Sequence, residues 1–312
     1  MATPSVLFST PIGPYRTHAW NNSLTDLQEQ RFSVGQDIFT FRGHMHCPAL
    51  HSLAQNISGP SVLLEYPRWE DFREEVKKGY DYVGISFMHN HVDVVMEMCK
   101  TIRALAPQSQ IVLGWHGARG IAVTYPEDQV KALCDHLCVG EGIGFIRVLL
   151  GEPTDAPISI THLPKCGNSL PWVDLHPAGN VGIVVPSIGC PNGCDFCGTT
   201  LITDNRHLIY LTPQQVFEEI KRYYREEDVV MAMILEEDSF LNKDYLAEWT
   251  TLVREDTEFG LSKIDLFAAA SISGISQFTY DELALMGFSG LFFGIESKFA
   301  PTEGYYKREG YE

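Results

Sequence analysis

The chain is 312 residues long and carries 23 basic against 40 acidic side chains, a formal net charge of −17. This balance argues against broad binding to a nucleic-acid backbone, and the length suffices for one large domain or two ordinary ones. The chain has neither a transmembrane-length apolar run nor a secretory signal pattern, so the protein is expected to be cytoplasmic and its eight cysteines to be thiols or metal ligands.

Apolar runs alternate with helical patterns over residues 1–150. Five runs are typical of strands buried on both faces: Ser5–Pro11, Ser61–Tyr66, Tyr82–Phe87, Ile111–Gly114 and His136–Val139. Helical periodicity follows over Trp69–Lys78, over Val92–Leu105 and towards Leu150. The alternation predicts an α/β fold, a Rossmann-like doubly wound parallel sheet with its ligand crevice at the carboxyl ends of the strands.

Periodicity is lost over residues 151–180, where proline recurs at five positions, and this predicts an interdomain linker. A second alternating series occupies residues 181–312. Its predicted strands are Val181–Ile188, Val229–Leu235, Leu266–Ala270 and Leu291–Ile295. Its predicted helices are Thr212–Arg225, with Thr212 as N-cap and Pro213 at the first helical position, then Tyr245–Glu255 and Tyr280–Met286. Four strand–helix units in series predict part of a barrel.

A triplet of cysteines follows the first strand of this second series. Cys190, Cys194 and Cys197 have the spacing C-x3-C-x2-C, and three thiolates on one short loop converge on one metal centre. Structural zinc requires a fourth ligand at a matching spacing, which the sequence does not offer. Three ligands suit a four-iron cluster with one open iron, while zinc or unrelated thiols remain the alternative.

The triplet, with Phe196 before the last cysteine, resembles the signature of the radical S-adenosylmethionine (radical SAM) superfamily. The resemblance implies a [4Fe–4S] cluster on the three cysteines, with SAM bound at the open iron. It also implies that the acidic segment Glu236, Glu237 and Asp238, after the second barrel strand, holds the SAM amino group. The segment Gly294, Glu296 and Ser297, after the fourth strand, is similar to a glycine-and-acid segment that lies beside SAM in the family.

An α/β module before such a barrel resembles the cobalamin-binding type of radical SAM protein. Three segments carry this resemblance: Asp81–Ser86, Ile111–Gly114 and Asp135–Gly142. The residues that it implies beside cobalamin are Gly84, Ser86, Gly114, Gly140, Glu141 and Gly142. Glycines at strand ends leave room for a flat ring, although any doubly wound sheet has some there.

Two histidine patterns are interpreted as unrelated to cofactor binding. Asp174, His176 and Gly179 match the D-x-H-x-x-G pattern by which other cobalamin proteins supply a cobalt ligand, but they lie in the linker and not after the first strand. The loop after that strand, residues 10–14, has no histidine, so no protein histidine is expected on cobalt. The other histidines near cysteine or histidine are expected to line cavities or face solvent: His44, His46 and His51 around Cys47, and the pair His89 and His91.

The resemblance implies a radical SAM enzyme that reductively cleaves SAM to a 5′-deoxyadenosyl radical, in a cobalamin-dependent methylation or rearrangement of a small molecule. The partners implied are that substrate and an electron donor such as flavodoxin or ferredoxin, with no nucleic acid and no membrane. No residue is assigned to catalysis. Methylthiotransferases fit poorly, because they carry a cysteine near the first strand and this chain has none before Cys47. The remaining cysteines, Cys99, Cys134, Cys138 and Cys166, are expected to be small buried residues.

The carboxyl end departs from the family pattern. The radical SAM core normally has six strand–helix units, whereas this sequence ends 15 residues after Ser297, past the fourth predicted strand (312 − 297 = 15). The barrel is therefore expected to be incomplete, as in a fragment, a shortened protein or one completed by a partner chain. The alternative function is a non-catalytic module that binds the cluster or cobalamin as a sensor or carrier.

Overall fold

The computed structural model describes residues 3–12, 42–44, 46–169, 180–194, 196–226, 229–257 and 264–294. The chain divides into two compact units, Met1–Ser159 and Ile160–Glu312. The division falls inside the segment 151–180, which the sequence predicts as a linker.

A five-stranded parallel sheet forms the first unit. Its strands are β1 (Val6–Ser9), β3 (Ser61–Leu64), β4 (Tyr82–Ser86), β5 (Gln110–Gly114) and β6 (His136–Leu137), and the short strand β2 (Arg42–His44) lies between the first two in sequence. The spatial order is β3-β1-β4-β5-β6. In a doubly wound sheet of this order, ligands bind where the winding reverses, at the carboxyl ends of β1 and β4.

The helices of the first unit connect these strands. They are α1 (Pro48–Gln55), α2 (Trp69–Val76), α3 (Val92–Leu105), α4 (Trp115–Thr124), α5 (Glu127–Leu133) and α6 (Gly142–Leu150), with a 3-10 turn at His89–His91. The pair α4 and α5 follows β5 and is not predicted from the sequence, because Gly117 and Gly120 interrupt the helical pattern of α4.

The central strands β1, β4 and β5 are buried on both faces, as their continuous apolar runs predict, whereas the edge strands β3 and β6 are only half-buried and Val62 of β3 is exposed. On β1, Leu7 belongs to the hydrophobic cluster that includes side chains of α2 and α3. Its neighbours Val6 and Phe8 pack on the opposite face, with Leu50 of α1 and Ile146 of α6. Full burial of such side chains contributes about 1.5–3 kcal/mol each. Helices therefore cover both faces, and the predicted doubly wound architecture is confirmed.

A carboxylate connects β6 to the rest of the sheet. Asp135 accepts hydrogen bonds from the backbone N–H of Ile111 at 2.6 Å and from Nη1 of Arg103 at 2.9 Å. Burial opposes ionisation of this carboxyl, but the two hydrogen bonds outweigh burial and hold the pKa of Asp135 below its ordinary value. The ionised form therefore stabilises the sheet at neutral pH.

Four parallel strands form the sheet of the second unit, in the order β13-β12-β11-β8. They are β8 (Val181–Val184), β11 (Met231–Ile234), β12 (Asp265–Ala270) and β13 (Phe288–Phe293). The remaining strands of this unit are β7 (Gly167–Ser169) and the hairpin of β9 (Ser187–Ile188) with β10 (Leu208–Ile209). The carboxyl ends of the four parallel strands share one edge of the sheet, and the cysteine loop, the acidic segment after β11 and Gly294 lie at this edge.

The helices of the second unit are α7 (Gly198–Ile202), α8 (Pro213–Glu226), α9 (Lys243–Glu255), α10 (Ile272–Ile275) and α11 (Tyr280–Leu285). Helix α8 begins as predicted, with Pro213 first and the Thr212 hydroxyl accepting from the backbone N–H of Gln215 at 3.2 Å. Tyr223 of α8 is fully buried, and its hydroxyl shares its proton between the carbonyl oxygens of Leu163 at 2.5 Å and Ile183 at 3.0 Å.

Two predicted strand boundaries in this unit are wrong. The run Val181–Ile188 divides into β8 and β9, because Pro186 has no N–H to continue the ladder. The last strand begins at Phe288 instead of Leu291, since its pairing with β12 continues across a register shift after Leu266. Ile295, the predicted end of that strand, lies outside the described residues.

Candidate functional site

The three predicted cluster ligands lie on one loop between β9 and α7. Cys190 and Cys194 are buried, and Cys197 is half-buried at the N-cap of α7. The backbone N–H of Cys197 donates to the Cys194 carbonyl oxygen at 3.0 Å, so a tight turn separates the last two cysteines. All eight cysteines of the chain lie outside disulfides. None of the three is therefore held in a disulfide, and all three side chains are available as ligands.

Two glycines give the cysteine loop its backbone conformation. Gly189 has φ +87° and Gly193 has φ +63°, both in the left-handed region that side chains disfavour. A Cβ atom on Gly189 would lie 2.7 Å from Cγ2 of Thr203 and closer still to the carbonyl oxygen of Arg206. A Cβ atom on Gly193 would meet nothing nearer than Oδ1 of Asn205, at 3.5 Å. Position 189 therefore requires glycine both for its positive φ and for close packing, whereas at position 193 the positive φ alone favours glycine.

The base of the cysteine loop is closed by the β9–β10 hairpin. Ile188 pairs with Leu208 in antiparallel register. The backbone N–H groups of Tyr210 and Leu211 both donate to the carbonyl oxygen of Pro186, at 2.8 Å and 3.0 Å. The hairpin thus fixes both ends of the segment that carries the cysteines, and it does so at the carboxyl end of β8.

The three cysteines are not part of the compact group of potential ligands found in this structure. Within the described part of the chain, the one group of three potential ligands whose donor atoms all lie within 4.8 Å of one another is His46, His51 and Glu65. Three cysteine ligands on one loop suit a four-iron cluster with one open iron, whereas structural zinc is held by four protein ligands.

The acidic segment after β11 contacts the cysteine loop directly. Oε2 of Glu237 accepts a hydrogen bond from the backbone N–H of Gly189, the residue before Cys190, at 2.7 Å. Glu236 accepts from the hydroxyl of Ser187 on β9. Because β8 and β11 are neighbours, the acidic residues that follow β11 lie beside the cysteine loop, which comes after β8 in the chain.

Ser187 and His207 are site residues that the sequence does not reveal. Nε2 of His207 lies 2.7 Å from the hydroxyl oxygen of Ser187, which in turn donates to Glu236. Burial lowers the pKa of His207, so its imidazole is neutral at pH 7. No motif links a serine, a histidine and a glutamate at these spacings, so only the fold identifies this chain of hydrogen bonds.

Burial dominates the electrostatics of the acidic segment. Desolvation raises the pKa of Glu236 and of Glu237 above the ordinary value, and the hydrogen bonds from Ser187 and Gly189 offset it only in part. Asp238 is 3% exposed, with Oδ1 accepting from the backbone N–H of Phe240 at 3.1 Å. Its Oδ2 is buried without a hydrogen-bond partner among the described residues. A buried carboxylate oxygen in this state has unused capacity for a cationic or hydrogen-bond-donating ligand.

The other residues predicted beside SAM are only partly described. Phe196 lies within the cysteine loop and is 49% exposed. Gly294 follows β13 directly, at the same edge of the sheet as the cysteine loop. Glu296 and Ser297 lie outside the described residues, as do Asp174, His176 and Gly179.

The residues predicted beside cobalamin have two different structural roles. Ser86 and Gly114 end β4 and β5, and both are half-buried at the edge where a doubly wound sheet binds ligands. Gly84 instead packs against β1, because a Cβ atom there would lie 3.1 Å from Cδ1 of Phe8. Its reason for being glycine is therefore strand packing.

The segment after β6 includes a helix cap. Glu141 is the N-cap of α6, and its carboxylate accepts from the backbone N–H groups of Ile143 at 2.6 Å and Gly144 at 2.7 Å. Its neighbours Gly140 and Gly142 are half-buried. Capping accounts for the acidic residue in this position without a ligand.

An aromatic group at the carboxyl ends of β4 and β5 is missed by the sequence reasoning. Trp115 has φ +70°, uncommon for a bulky residue, and its ring centroid lies 4.9 Å from that of His116. His89 lies 6.1 Å from His116. Burial, and then the neighbouring His89, lower the pKa of His116 to about 4. Trp115 and a neutral His116 therefore lie after β5, beside the expected ligand crevice, and the signal for them was the strand-end sequence Gly-Trp-His-Gly.

One protein-family model matches most of the second unit. Residues 184–297 match the model of the Radical SAM superfamily, which confirms the resemblance predicted from the cysteine triplet. The chain has no significant match among curated proteins. Among the described helices, none combines the length and hydropathy needed to span a bilayer.

Two solved structures are similar in fold to most of this chain. Both are of the radical S-adenosylmethionine methyltransferase TsrM from Kitasatospora setae. One, with tryptophan substrate and a SAM analogue bound, has a TM-score of 0.62 and 14% identity, covering 93% of this chain and 59% of that one. The other, with cobalamin and a [4Fe–4S] cluster bound, has a TM-score of 0.60 and 15% identity, covering 94% and 61%. This chain thus spans about three fifths of the length of the solved chains that it resembles.

Proposed function

We propose that this protein is a radical SAM enzyme that reductively cleaves SAM at a [4Fe–4S] cluster and uses the product radical, with cobalamin, to methylate or rearrange a small molecule. The observation that carries the proposal is the contact between the cysteine loop and the acidic segment, in which Glu237 binds the backbone beside Cys190. Three cysteines and three acidic residues thus lie at one edge of a parallel sheet.

The residues fit the two groups that the proposal requires at this edge. Cys190, Cys194 and Cys197 would ligate three irons, and the fourth iron would remain open to SAM. The ammonium group of SAM needs an anionic partner, and the unpaired Oδ2 of Asp238 and the desolvated carboxyl of Glu236 are suited to that role. When bound, the cluster supplies one electron from an external donor of the flavodoxin or ferredoxin type, which divides SAM into methionine and a 5′-deoxyadenosyl radical able to take a hydrogen atom from substrate.

The chain itself contributes position and charge. Glu237 holds the backbone of the cysteine loop at Gly189, and the β9–β10 hairpin holds both ends of that loop. A bound cation would stabilise the ionised form of Glu236, which burial disfavours, and it would give the buried Oδ2 of Asp238 a partner. The acidic segment and SAM are thus expected to stabilise each other.

The first unit supports the cobalamin part of the proposal. Its strand order places a ligand crevice at the ends of β1 and β4, and Ser86, Gly114 and the neutral His116 border the strand ends there. The likeness to TsrM supports methyl transfer as the reaction class. We propose no histidine ligand on cobalt, because the sequence segment that follows β1, residues 10–14, contains no histidine.

Anaerobic reconstitution tests the proposal. The wild-type protein is expected to bind about four irons and four sulfides per chain, to bind a corrinoid, and to release 5′-deoxyadenosine from SAM when a reductant is added. Cys194→Ala is expected to lose both the cluster absorbance and 5′-deoxyadenosine formation. The matched control is Cys166→Ala, which removes a buried thiol of the same unit outside the loop and should retain both.

The outcomes separate the proposal from its alternative. If Cys194→Ala keeps the cluster and the SAM cleavage, the ligand assignment is wrong. If the wild-type protein binds corrinoid or cluster but produces no 5′-deoxyadenosine with any reductant, the chain is a binding module and not an enzyme by itself.

A further inference from the structure

We propose that His46, His51 and Glu65 form a second metal site, in the first unit, for a divalent first-row metal ion such as Zn²⁺. The site is independent of the cysteine loop and of the function proposed above. Its donors are two imidazole nitrogens and one carboxylate, and water or a small ligand would complete the coordination.

The three side chains converge on one carboxylate oxygen. Oε2 of Glu65 lies 2.7 Å from Nδ1 of His46 and 3.3 Å from Nε2 of His51. The three donor atoms lie within 4.8 Å of one another. Zinc–nitrogen and zinc–oxygen bonds of about 2.0–2.2 Å in a tetrahedral site separate the ligand atoms by about 3.4 Å. The His46–Glu65 distance therefore needs to widen slightly, which is a small movement for His46, whose side chain is 48% exposed.

The site is built into the fold by two elements. Glu65 directly follows β3, at the carboxyl edge of the sheet, while His46 and His51 flank the start of α1. The backbone N–H of Cys47 donates to Oε1 of Glu65 at 2.5 Å, which leaves Oε2 facing the two imidazoles. Such hydrogen bonds to the outer oxygen of a carboxylate orient metal ligands in known sites.

The donor set selects the class of metal. Two imidazoles with one carboxylate suit Zn²⁺, Fe²⁺ and similar ions, whereas Ca²⁺ and Mg²⁺ require oxygen ligands. With three protein ligands, the site is of the open type that keeps a position for water or another ligand. His51 and Glu65 are 21% and 17% exposed, so an ion can enter from solvent while its ligands stay packed.

The pattern was visible in the sequence only in part. His46 and His51 are recognisable beside Cys47, but the expectation that they are solvated or line a cavity rested on the lack of a further ligand. The fold supplies that ligand, Glu65, from a strand 19 residues after His46 (65 − 46 = 19).

The experiment counts zinc in the full-length protein after reconstitution of the cluster. Protein is dialysed against Zn²⁺, and bound zinc is measured by mass spectrometry for the wild type and for His46→Gln, His51→Gln and Glu65→Gln. The matched control is His162→Gln, since His162 also lies near a carboxylate, 3.7 Å from Glu219, but has no second imidazole in a metal-binding group. Cys194→Ala is measured in parallel, so that zinc held by the cysteine loop is recognised.

We expect about one zinc per chain in the wild type and the His162→Gln and Cys194→Ala proteins, and at least a tenfold weaker affinity in the three site variants. Zinc-edge X-ray absorption of the wild type tests the site without any substitution, and should show nitrogen and oxygen neighbours only. Zinc–sulfur distances near 2.3 Å, loss of zinc in Cys194→Ala alone, or equal zinc in all variants would overturn the proposal. Absence of zinc from the wild type would reduce the group to a hydrogen-bonded cluster and likewise overturn it.

Discussion

Replacing Gly189 with alanine tests how strictly the backbone of the cysteine loop must be held for a cluster to assemble. The alanine would have to adopt φ near +87°, which costs a residue with a Cβ about 1–2 kcal/mol. Its Cβ would also overlap Arg206 and Thr203, and overpacking of this kind costs about 1–3 kcal/mol. The two effects together give about 2–5 kcal/mol against the loop conformation seen here.

Gly193→Ala is the matched control in the same loop. Its φ of +63° carries a similar backbone cost, but the added Cβ meets no atom nearer than Oδ1 of Asn205, at an ordinary contact distance of 3.5 Å. The two variants thus differ by the overlap alone, about 1–3 kcal/mol, or roughly 5- to 150-fold in the equilibrium that forms the loop.

The assay is iron and acid-labile sulfide per chain after limited anaerobic reconstitution, followed by the rate of cluster loss to a chelator. Gly189→Ala should hold at least fivefold less cluster than Gly193→Ala or lose it correspondingly faster, while circular dichroism reports an unchanged fold. Equal loading and equal retention in the two variants would refute the argument that close packing at Gly189 shapes the cluster loop.

Three further predictions concern charge and burial. Glu236→Gln should raise the melting temperature of the SAM-free protein while weakening SAM binding. Because the pKa of Glu236 is raised in the fold, ionisation of Glu236 lowers the stability of the wild type progressively as pH increases from the ordinary pKa of 4.5. The increase in melting temperature should therefore be larger near pH 8 than near pH 5. Tyr223→Phe should lower the free energy of unfolding of the second unit by about 1–3 kcal/mol in urea titrations, since two buried carbonyl oxygens lose their donor. Asp135→Asn should destabilise the protein at pH 7. Because the pKa of Asp135 is lowered in the fold, the difference in unfolding free energy between wild type and variant should shrink as pH falls through 3.8 and below. A difference that stays constant with pH would contradict the ionised pairing of Asp135 with Arg103.

The central strands β1, β4 and β5 were predictable because burial on both faces gives each of them a continuous apolar run that is recognisable without knowledge of its partner. Val92–Leu105 was likewise predictable to the residue, since its apolar stripe repeats at helical spacing. Helix α4 was not, because Gly117 is there for a tertiary reason: a Cβ atom would overlap the ring of Phe87. Local sequence patterns thus predict helices whose apolar residues repeat at helical spacing, and they miss a helix in which glycine is needed for close contact with another element.

The same distinction between local pattern and tertiary contact applies to the candidate site. The spacing of Cys190, Cys194 and Cys197 is local, so the sequence contains it completely. The contact between Glu237 and Gly189 joins residues 48 positions apart and depends on which strand lies beside β8. The sequence predicts three acids in this segment but cannot distinguish them, since their roles depend on where each side chain points after the strand ends. In the fold, one binds the loop backbone, one binds a serine and one retains an unpaired oxygen.

The two groups of metal ligands differ in donor chemistry, so the metals that they bind can be distinguished by experiment. The cysteine loop offers soft thiolates that suit iron–sulfur clusters, whereas His46, His51 and Glu65 offer nitrogen and oxygen donors that suit a single borderline ion. The two groups belong to different units of the chain, so a substitution in one leaves the donors of the other unchanged. Iron and zinc contents should therefore vary independently across the two sets of variants. If instead both metals were lost together, the cause would be unfolding, and neither ligand assignment would gain support from the loss.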